Sequence, residues 1–179
     1  MHHGRTDAGV HALGQIANFK TNSNIEIEKI PYALNSKLKK SIVIKCAEEV
    51  EEKFHARYNA KQKTYRYVIN NSKFGTAIYK DLEYHMPIKL NVQEMKKAVK
   101  YFEGEHDFSS FKASGTSSKN SVRTIYKAEV IENGERINIE LTGNGFLYNM
   151  VRIIAGTLVD VGLRKNKRRG CIKHNRIKR

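Results

Sequence analysis

The chain has 179 residues, 40% of them hydrophobic and 28% charged, which excludes a fibrous or wholly disordered protein and allows one good-sized domain or two small ones. Its formal net charge is +15, but nine Lys or Arg residues lie in 164–179, a segment without an acid, so the first 163 residues carry a moderate excess of six. The body is therefore mildly basic, suited to a polyanionic partner, and the tail at 164–179 is expected to be disordered.

In chain order, 13–21 reads as a strand leaving the opening turn, with Ile16, Ala17 and Phe19 among polar neighbours. Ser23 or Asn24 is placed to cap a short helical segment around Ile30–Leu34. The stretch SIVIKCAEEVEEKF, with Ile42, Val43, Ile44 and Val50, predicts a strand. KTYRYVIN alternates Tyr65, Tyr67 and Ile69 against Thr64, Arg66 and Val68, a strand with one aromatic face. Val92–Glu103 predicts a helix, with Asn91 at the N-cap, Met95, Ala98, Val99 and Phe102 on one stripe, and Gly104 as its stop. Residues 125–143 predict a hairpin in which Asn133-Gly134 suits a type I′ turn. NMVRIIAGTLVDVG predicts a helix with Val151, Ile154 and Leu158 inward and Gly162 as its stop. Strands and helices intermix, so the fold class is α+β or mixed α/β. The plausible domain break lies at 53–60, after the acidic EEVEE cluster.

Cys46 and Cys171 stand apart from one another and give neither a disulfide framework nor a paired metal motif, which fits a reducing, cytoplasmic setting. No signal peptide is recognisable ahead of the first motif. The longest apolar stretch, Met150–Leu163, contains Arg152 and Asp160 and is too short to span a bilayer.

The opening HHGRTDAGVHA gathers an Arg, an Asp and three His around a Gly-bracketed turn. An Asp followed by a small residue and Gly serves either as a turn former, its carboxylate accepting backbone N–H bonds, or as a reactive carboxylate. His2, His3 and His11 match no zinc spacing, so no metal is expected. Arg57, Lys61, Lys63 and Arg66 interleave with Tyr58, Tyr65 and Tyr67. That pattern suits either a packed sheet or single-stranded nucleic acid, with cations for phosphates and aromatic faces for bases. Arg152 lies in an apolar helix, where it either reaches out to solvent or pairs with a buried carboxylate. The GNG at 143–145 is too short to be a phosphate-binding loop.

In this order and spacing, GRTDAGVHALGQIANF, ALNSKL, FHARYNAKQKTYRYVI, GEHDFSSF, RTI and GNGFLYNMVRIIAGTL resemble the tRNA pseudouridine synthase A family, from Gly4 to about Leu163. The resemblance implies the pseudouridine synthase fold, largely antiparallel sheets flanked by helices. It also implies an isomerase that converts uridine to pseudouridine at positions 38–40, on the 3′ side of the anticodon arm of tRNA. Such an enzyme works in the cytoplasm as a homodimer, with no metal or cofactor. The family's catalytic aspartate falls on Asp7, the arginine beside it on Arg5, the tyrosine that packs against the target base on Tyr65, and the helix arginine that pairs with the aspartate on Arg152. The resemblance implies a catalytic subdomain remainder at 1–55, an α/β subdomain at 56–163 and the basic tail at 164–179.

Two departures stand out. Family members carry a strand and a loop ahead of GRTDAG, where this sequence has Met1–His3, and they continue through a final strand where this sequence runs into RKNKRRGCIKHNRIKR. The composition change there is the one expected of a frameshifted or truncated reading, or else of a basic RNA-binding tail. The alternative function is accordingly a non-catalytic remnant that at most binds RNA.

Overall fold

The computed structural model describes residues 2–3, 7, 9–115 and 120–164. It divides into two compact units, Met1–Ala60 and Lys61–Arg179.

In the first unit, β1 (His2–His3) pairs antiparallel with β2 (Ala17–Asn18). Of the strand expected at 13–21, Ala17 and Asn18 are paired among the described residues. The Asn18 side chain extends the contact by acting as a spare peptide: its Nδ2 donates to the Phe54 carbonyl at 3.2 Å and its Oδ1 accepts from the Ala56 N–H at 2.9 Å. A 3₁₀ turn (Ile27–Lys29) leads into α1 (Ile30–Asn35), which has Pro31 in its first turn, where a missing N–H costs nothing. Neither Ser23 nor Asn24 caps it; Glu26 stands at the start of the 3₁₀ turn without a side-chain cap bond.

The strand expected from SIVIKCAEEVEEKF does not form. The Asn35 amide accepts from the Ile44 N–H at 2.8 Å and donates to the Ile44 carbonyl at 2.9 Å, taking both ladder groups that a neighbouring strand would use. None of the described residues in 7–60 is buried, and Leu13, Ile16, Tyr32, Ile42 and Val43 are more than half exposed. Alternating apolar residues favour a strand only when a second layer receives them, and within this unit Ile42 and Val43 meet none.

The second unit is a five-stranded sheet in the order β4-β3-β7-β6-β5, built from β3 (Lys63–Asn70), β4 (Tyr84–His85), β5 (Gly104–Asp107), β6 (Val122–Asn133) and β7 (Arg136–Gly143). All pairings are antiparallel except the short β3–β4 contact. Together with the helices this is an α+β fold. Ile69 on β3, Ile137, Ile139 and Leu141 on β7, and Ile125, Ala128 and Val130 on β6 are buried in one core with α2 (Val92–Val99) and α3 (Met150–Arg164). Each buried Ile or Leu of this kind contributes roughly 1.5–3 kcal/mol.

The opposite face is polar and cross-linked. Thr64 and Thr142 share a hydrogen bond at 2.8 Å, and Arg66 Nε donates to Glu140 at 2.7 Å. A bulge between Ile125 and Lys127 reconciles β6 with this two-sided sheet. Strict alternation would set Ile125 against Ala128 and Val130; the extra residue lets all three face the core, with Tyr126 and Lys127 both exposed.

The Asn91 cap is present, its side chain accepting from the Glu94 N–H at 3.2 Å, and the expected stripe of Met95, Ala98, Val99 and Phe102 packs into the core. The last turn tightens to 3₁₀ over Lys100–Phe102. The hairpin turn differs from expectation. Its two loop residues are Gly134 and Glu135, and only Gly134 has a positive φ (59°), the sign pattern of a type II′ turn rather than type I′.

Gly162 does not stop α3, which continues to Arg164. A Cβ at Gly162 would lie 3.0 Å from Met95 Sδ and 3.2 Å from Leu90 Cβ, and its carbonyl accepts from the Asn91 N–H at 3.0 Å. Its smallness lets α3 approach the start of α2. Buried Asn71 fixes the lead-in, donating to the Met86 and Ile88 carbonyls at 2.7 and 2.8 Å and accepting from the Leu90 N–H at 3.0 Å.

Glu103 closes the edge of β6. Its pairing strand β5 ends opposite Ile125, so the Ala128 N–H has no strand partner there; Glu103 Oε1 accepts it at 2.9 Å and also takes Lys100 Nζ at 2.7 Å. The Lys100 ammonium, with the Ala128 N–H, holds this carboxyl below its ordinary value of 4.5. A carboxyl lowered by folding adds stability above its ordinary range and loses it as pH falls through the lowered value. The denaturant midpoint of the wild-type chain is therefore expected to drop below pH 4.5 by more than that of Glu103→Gln, which keeps an acceptor for Ala128 but has no proton to take up. Equal drops in urea titrations of the two proteins at pH 7 and pH 3 would contradict this.

Candidate active site

Within the opening motif the Val10 N–H donates to the Asp7 carbonyl at 3.1 Å, closing a turn. Gly9 stands at its third position with φ 77°. Among the described residues nothing lies within 4 Å of a Cβ built there, so the demand for glycine is conformational. Asp7 is exposed, and among the described residues no hydrogen bond or ion pair takes up its carboxylate. The turn is closed by a backbone bond, and among the described residues the carboxylate does not act as the turn former that composition alone suggests. Arg5 lies outside the described residues, as does the basic tail from residue 165 onward.

The other expected site residues belong to the second unit. Tyr65 and Tyr67 follow the period of β3 onto the same face as buried Ile69. Tyr65 is half-buried, opposite Leu141 on β7, and its ring meets Phe146 edge-on at 5.0 Å between centroids. Arg152 lies in the first turn of α3 and is exposed, so its charge needs no buried partner.

The link between these two residues is Tyr67, which the sequence marked only as part of an aromatic stripe. Its phenol is half-buried against the core. Burial pushes its pKa up, the Arg152 guanidinium pulls it partly back, and the Tyr84 phenol raises it again. Tyr67 thus stays protonated at neutral pH with the guanidinium within electrostatic reach. The structure brings Tyr65, Tyr67, Phe146 and Arg152 together in one unit, while Asp7 is described within the other.

The GNG segment explains how Arg152 is delivered. A Cβ at Gly143 would stand 2.7 Å from the Thr124 carbonyl oxygen and 3.0 Å from Ile125 Cδ1, so β7 can end against β6 only as glycine. Asn144 then clamps Thr124 at both ends, its N–H donating to the Thr124 carbonyl and its Oδ1 accepting from the Thr124 N–H, each at 3.0 Å. The chain turns through Phe146 and buried Leu147, and Asn149 adopts φ 59° before α3 begins. Asn tolerates this left-handed conformation better than most residues. Gly143→Ala is expected to destabilise the fold by about 1–3 kcal/mol, since the obstructing atom is backbone and cannot swing aside. An unchanged urea midpoint would contradict that contact.

Among the described residues, no three His, Cys, Asp or Glu side chains gather in a way that could hold a metal ion. No described helix is long and apolar enough to cross a membrane.

The chain matches a family model described as tRNA pseudouridine synthase over residues 2–59 and 98–172, which include Arg5, Asp7 and Arg152. It is 56% identical over 163 residues to the tRNA pseudouridine synthase A of Thermoanaerobacter sp. (strain X514), covering 91% of this chain and 67% of that protein. The proteins of the same name from Ruminiclostridium cellulolyticum and Bacillus subtilis are 55% and 47% identical, each over 90% of this chain and 66% of their own length. The chain therefore spans about two thirds of the length of these relatives. With that match across most of its own length, the chain belongs to the tRNA pseudouridine synthase family, isomerases that act on tRNA.

Proposed function

We propose that the chain isomerises uridine to pseudouridine at positions 38–40 of the tRNA anticodon arm, with Asp7 as the catalytic carboxylate, acting in the cytoplasm as a homodimer. The observation that carries this reading is the backbone-closed Asp7–Val10 turn, which presents an exposed carboxylate with no partner among the described residues.

The reaction breaks the N1–C1′ bond, turns the uracil and joins C5 to C1′. The proton on C5 leaves, N1 takes one up, and nothing is oxidised or reduced. The carboxylate of Asp7 attacks C1′ or takes a ribose proton; both routes need it ionised, and a guanidinium beside it favours that form. Arg152 fills this role. The target base is stacked in the RNA arm and must be flipped out. Arg5 props the vacated space, and Tyr65 receives the base on a ring already braced edge-on by Phe146. In this reading residues 1–55 are the catalytic subdomain remainder, and the subdomain at 56–163 supplies the stacking ring and the guanidinium.

Chemical mapping of pseudouridine in a tRNA transcript tests the specificity. Modification confined to positions 38–40 is the expected pattern; modification elsewhere with the arm untouched would overturn it. Sedimentation is expected to give twice the 20.6 kDa chain mass. A second reading, an RNA-binding chain without turnover, draws on one observation: the apolar side chains that the first unit leaves exposed.

A further inference from the structure

The segment after the acidic cluster builds a small rigid turn that the proposed chemistry does not use. The His55 N–H donates to Asn59 Oδ1 at 2.7 Å, and the Asn59 N–H returns to the His55 carbonyl at 2.9 Å. Within this loop the imidazole Nδ1 of His55 accepts from the Arg57 N–H at 3.2 Å and from the Tyr58 N–H at 3.3 Å. Those bonds hold the imidazole in place, and the Tyr58 ring stacks on it at 4.2 Å between centroids with a 36° tilt. The Arg57 guanidinium lies 5.7 Å from the centre of the same ring. Tyr58 is nonetheless 74% exposed.

A large aromatic side chain held this firmly while facing water has already lost the rotamer freedom that a binding partner would otherwise have to freeze out. The local charge suits an anion. Lys53 precedes the turn and Arg57 lies within it, and Glu52, the nearest preceding acid, is taken up by Lys20 at 2.5 Å.

We infer that the His55–Arg57–Tyr58 turn is a docking platform on which an unpaired base of the RNA substrate, other than the target uridine, stacks. The inference rests on the proposed tRNA substrate. An aromatic ring beside a guanidinium, on a cationic loop, is the chemistry that holds single-stranded nucleic acid without reading its sequence. A platform of this kind adds a contact to an unpaired base beside the phosphate contacts that set orientation.

The test uses the full chain and an RNA hairpin with the sequence of the anticodon arm. Tyr58→Ala is expected to weaken binding about tenfold, the loss typical of one stacked base. Tyr58→Phe is expected to stay within about twofold of wild type, because stacking needs the ring and not the hydroxyl. The salt dependence of binding should be the same in all three proteins, since no phosphate contact is removed. Wild-type affinity in Tyr58→Ala, or equal losses in the Ala and Phe variants, would overturn the platform alone. A changed oligomeric state with RNA affinity intact would overturn it in favour of a protein contact. Failure of the wild-type chain to bind the hairpin would remove the tRNA reading and the platform with it.

Discussion

Asp7→Ala is expected to lower the rate of pseudouridine formation by at least about a thousandfold while leaving tRNA binding within a fewfold of wild type. The side chain is exposed and is not what closes its turn; that bond runs from the Val10 N–H to the Asp7 backbone carbonyl. Removing the carboxylate therefore spares the local fold, and a loss of turnover reads on the chemistry. Both routes open to this carboxylate, attack at C1′ and removal of a ribose proton, need an anion with a lone pair at the same place. Asp7→Asn, which keeps the shape and removes the charge, should be nearly as inactive. Single-turnover measurements with saturating enzyme check this, because they exclude product release and weak binding as the cause. A residual rate within tenfold of wild type for the Ala variant would remove Asp7 from the chemistry.

Arg152→Met is expected to lower kcat by roughly a hundredfold or more, with a much smaller change in tRNA affinity. Met matches the length of the arginine stem and is a good helix former, so the first turn of α3 is preserved. Arg152 carries an exposed guanidinium within electrostatic reach of the Tyr67 phenol, on the unit that holds Tyr65 and Phe146. In the proposed mechanism its charge keeps the Asp7 carboxylate ionised and steadies the charge that develops as the glycosidic bond breaks. The competing role is a plain phosphate contact. That would weaken binding and turnover alike and would flatten the salt dependence of binding by about one unit of slope. Measuring kcat and affinity on the same preparation, across a salt series, separates the two.

How much of this could be read from the sequence depended on where each residue finds its partners. The β3 strand, the capped α2 helix and the β6–β7 hairpin announce themselves because their side chains repeat every two or three to four residues and their core lies within the same unit. The first unit does not behave this way. Ile42, Val43 and Val50 look like strand residues, but a strand exists only through its neighbour, and here the Asn35 side chain occupies the backbone of Ile44 instead.

Glycines were the other blind spot. Gly162 carries the mark of a helix stop, yet its work is to admit Met95 and Leu90 against α3, a contact between residues far apart in sequence. Gly143 looked like half of a loop motif and is required by the carbonyl of Thr124 on the adjacent strand. For the site, GRTDAG, Tyr65 and Arg152 stood out through their resemblance to a known family. The β3 period placed Tyr67 beside Tyr65 but gave no sign of Arg152, and nothing in GNGF indicated that Phe146 would brace Tyr65. Both relations arise from the way β7 turns into α3.

The central claim, that this chain moves the glycosidic bond of uridine from N1 to C5, is tested most directly by tritium release from tRNA carrying C5-tritiated uridine. The wild-type chain is expected to release one tritium for each pseudouridine formed in the anticodon arm. No release from a folded sample that still binds the tRNA would contradict it and leave an RNA-binding chain without turnover.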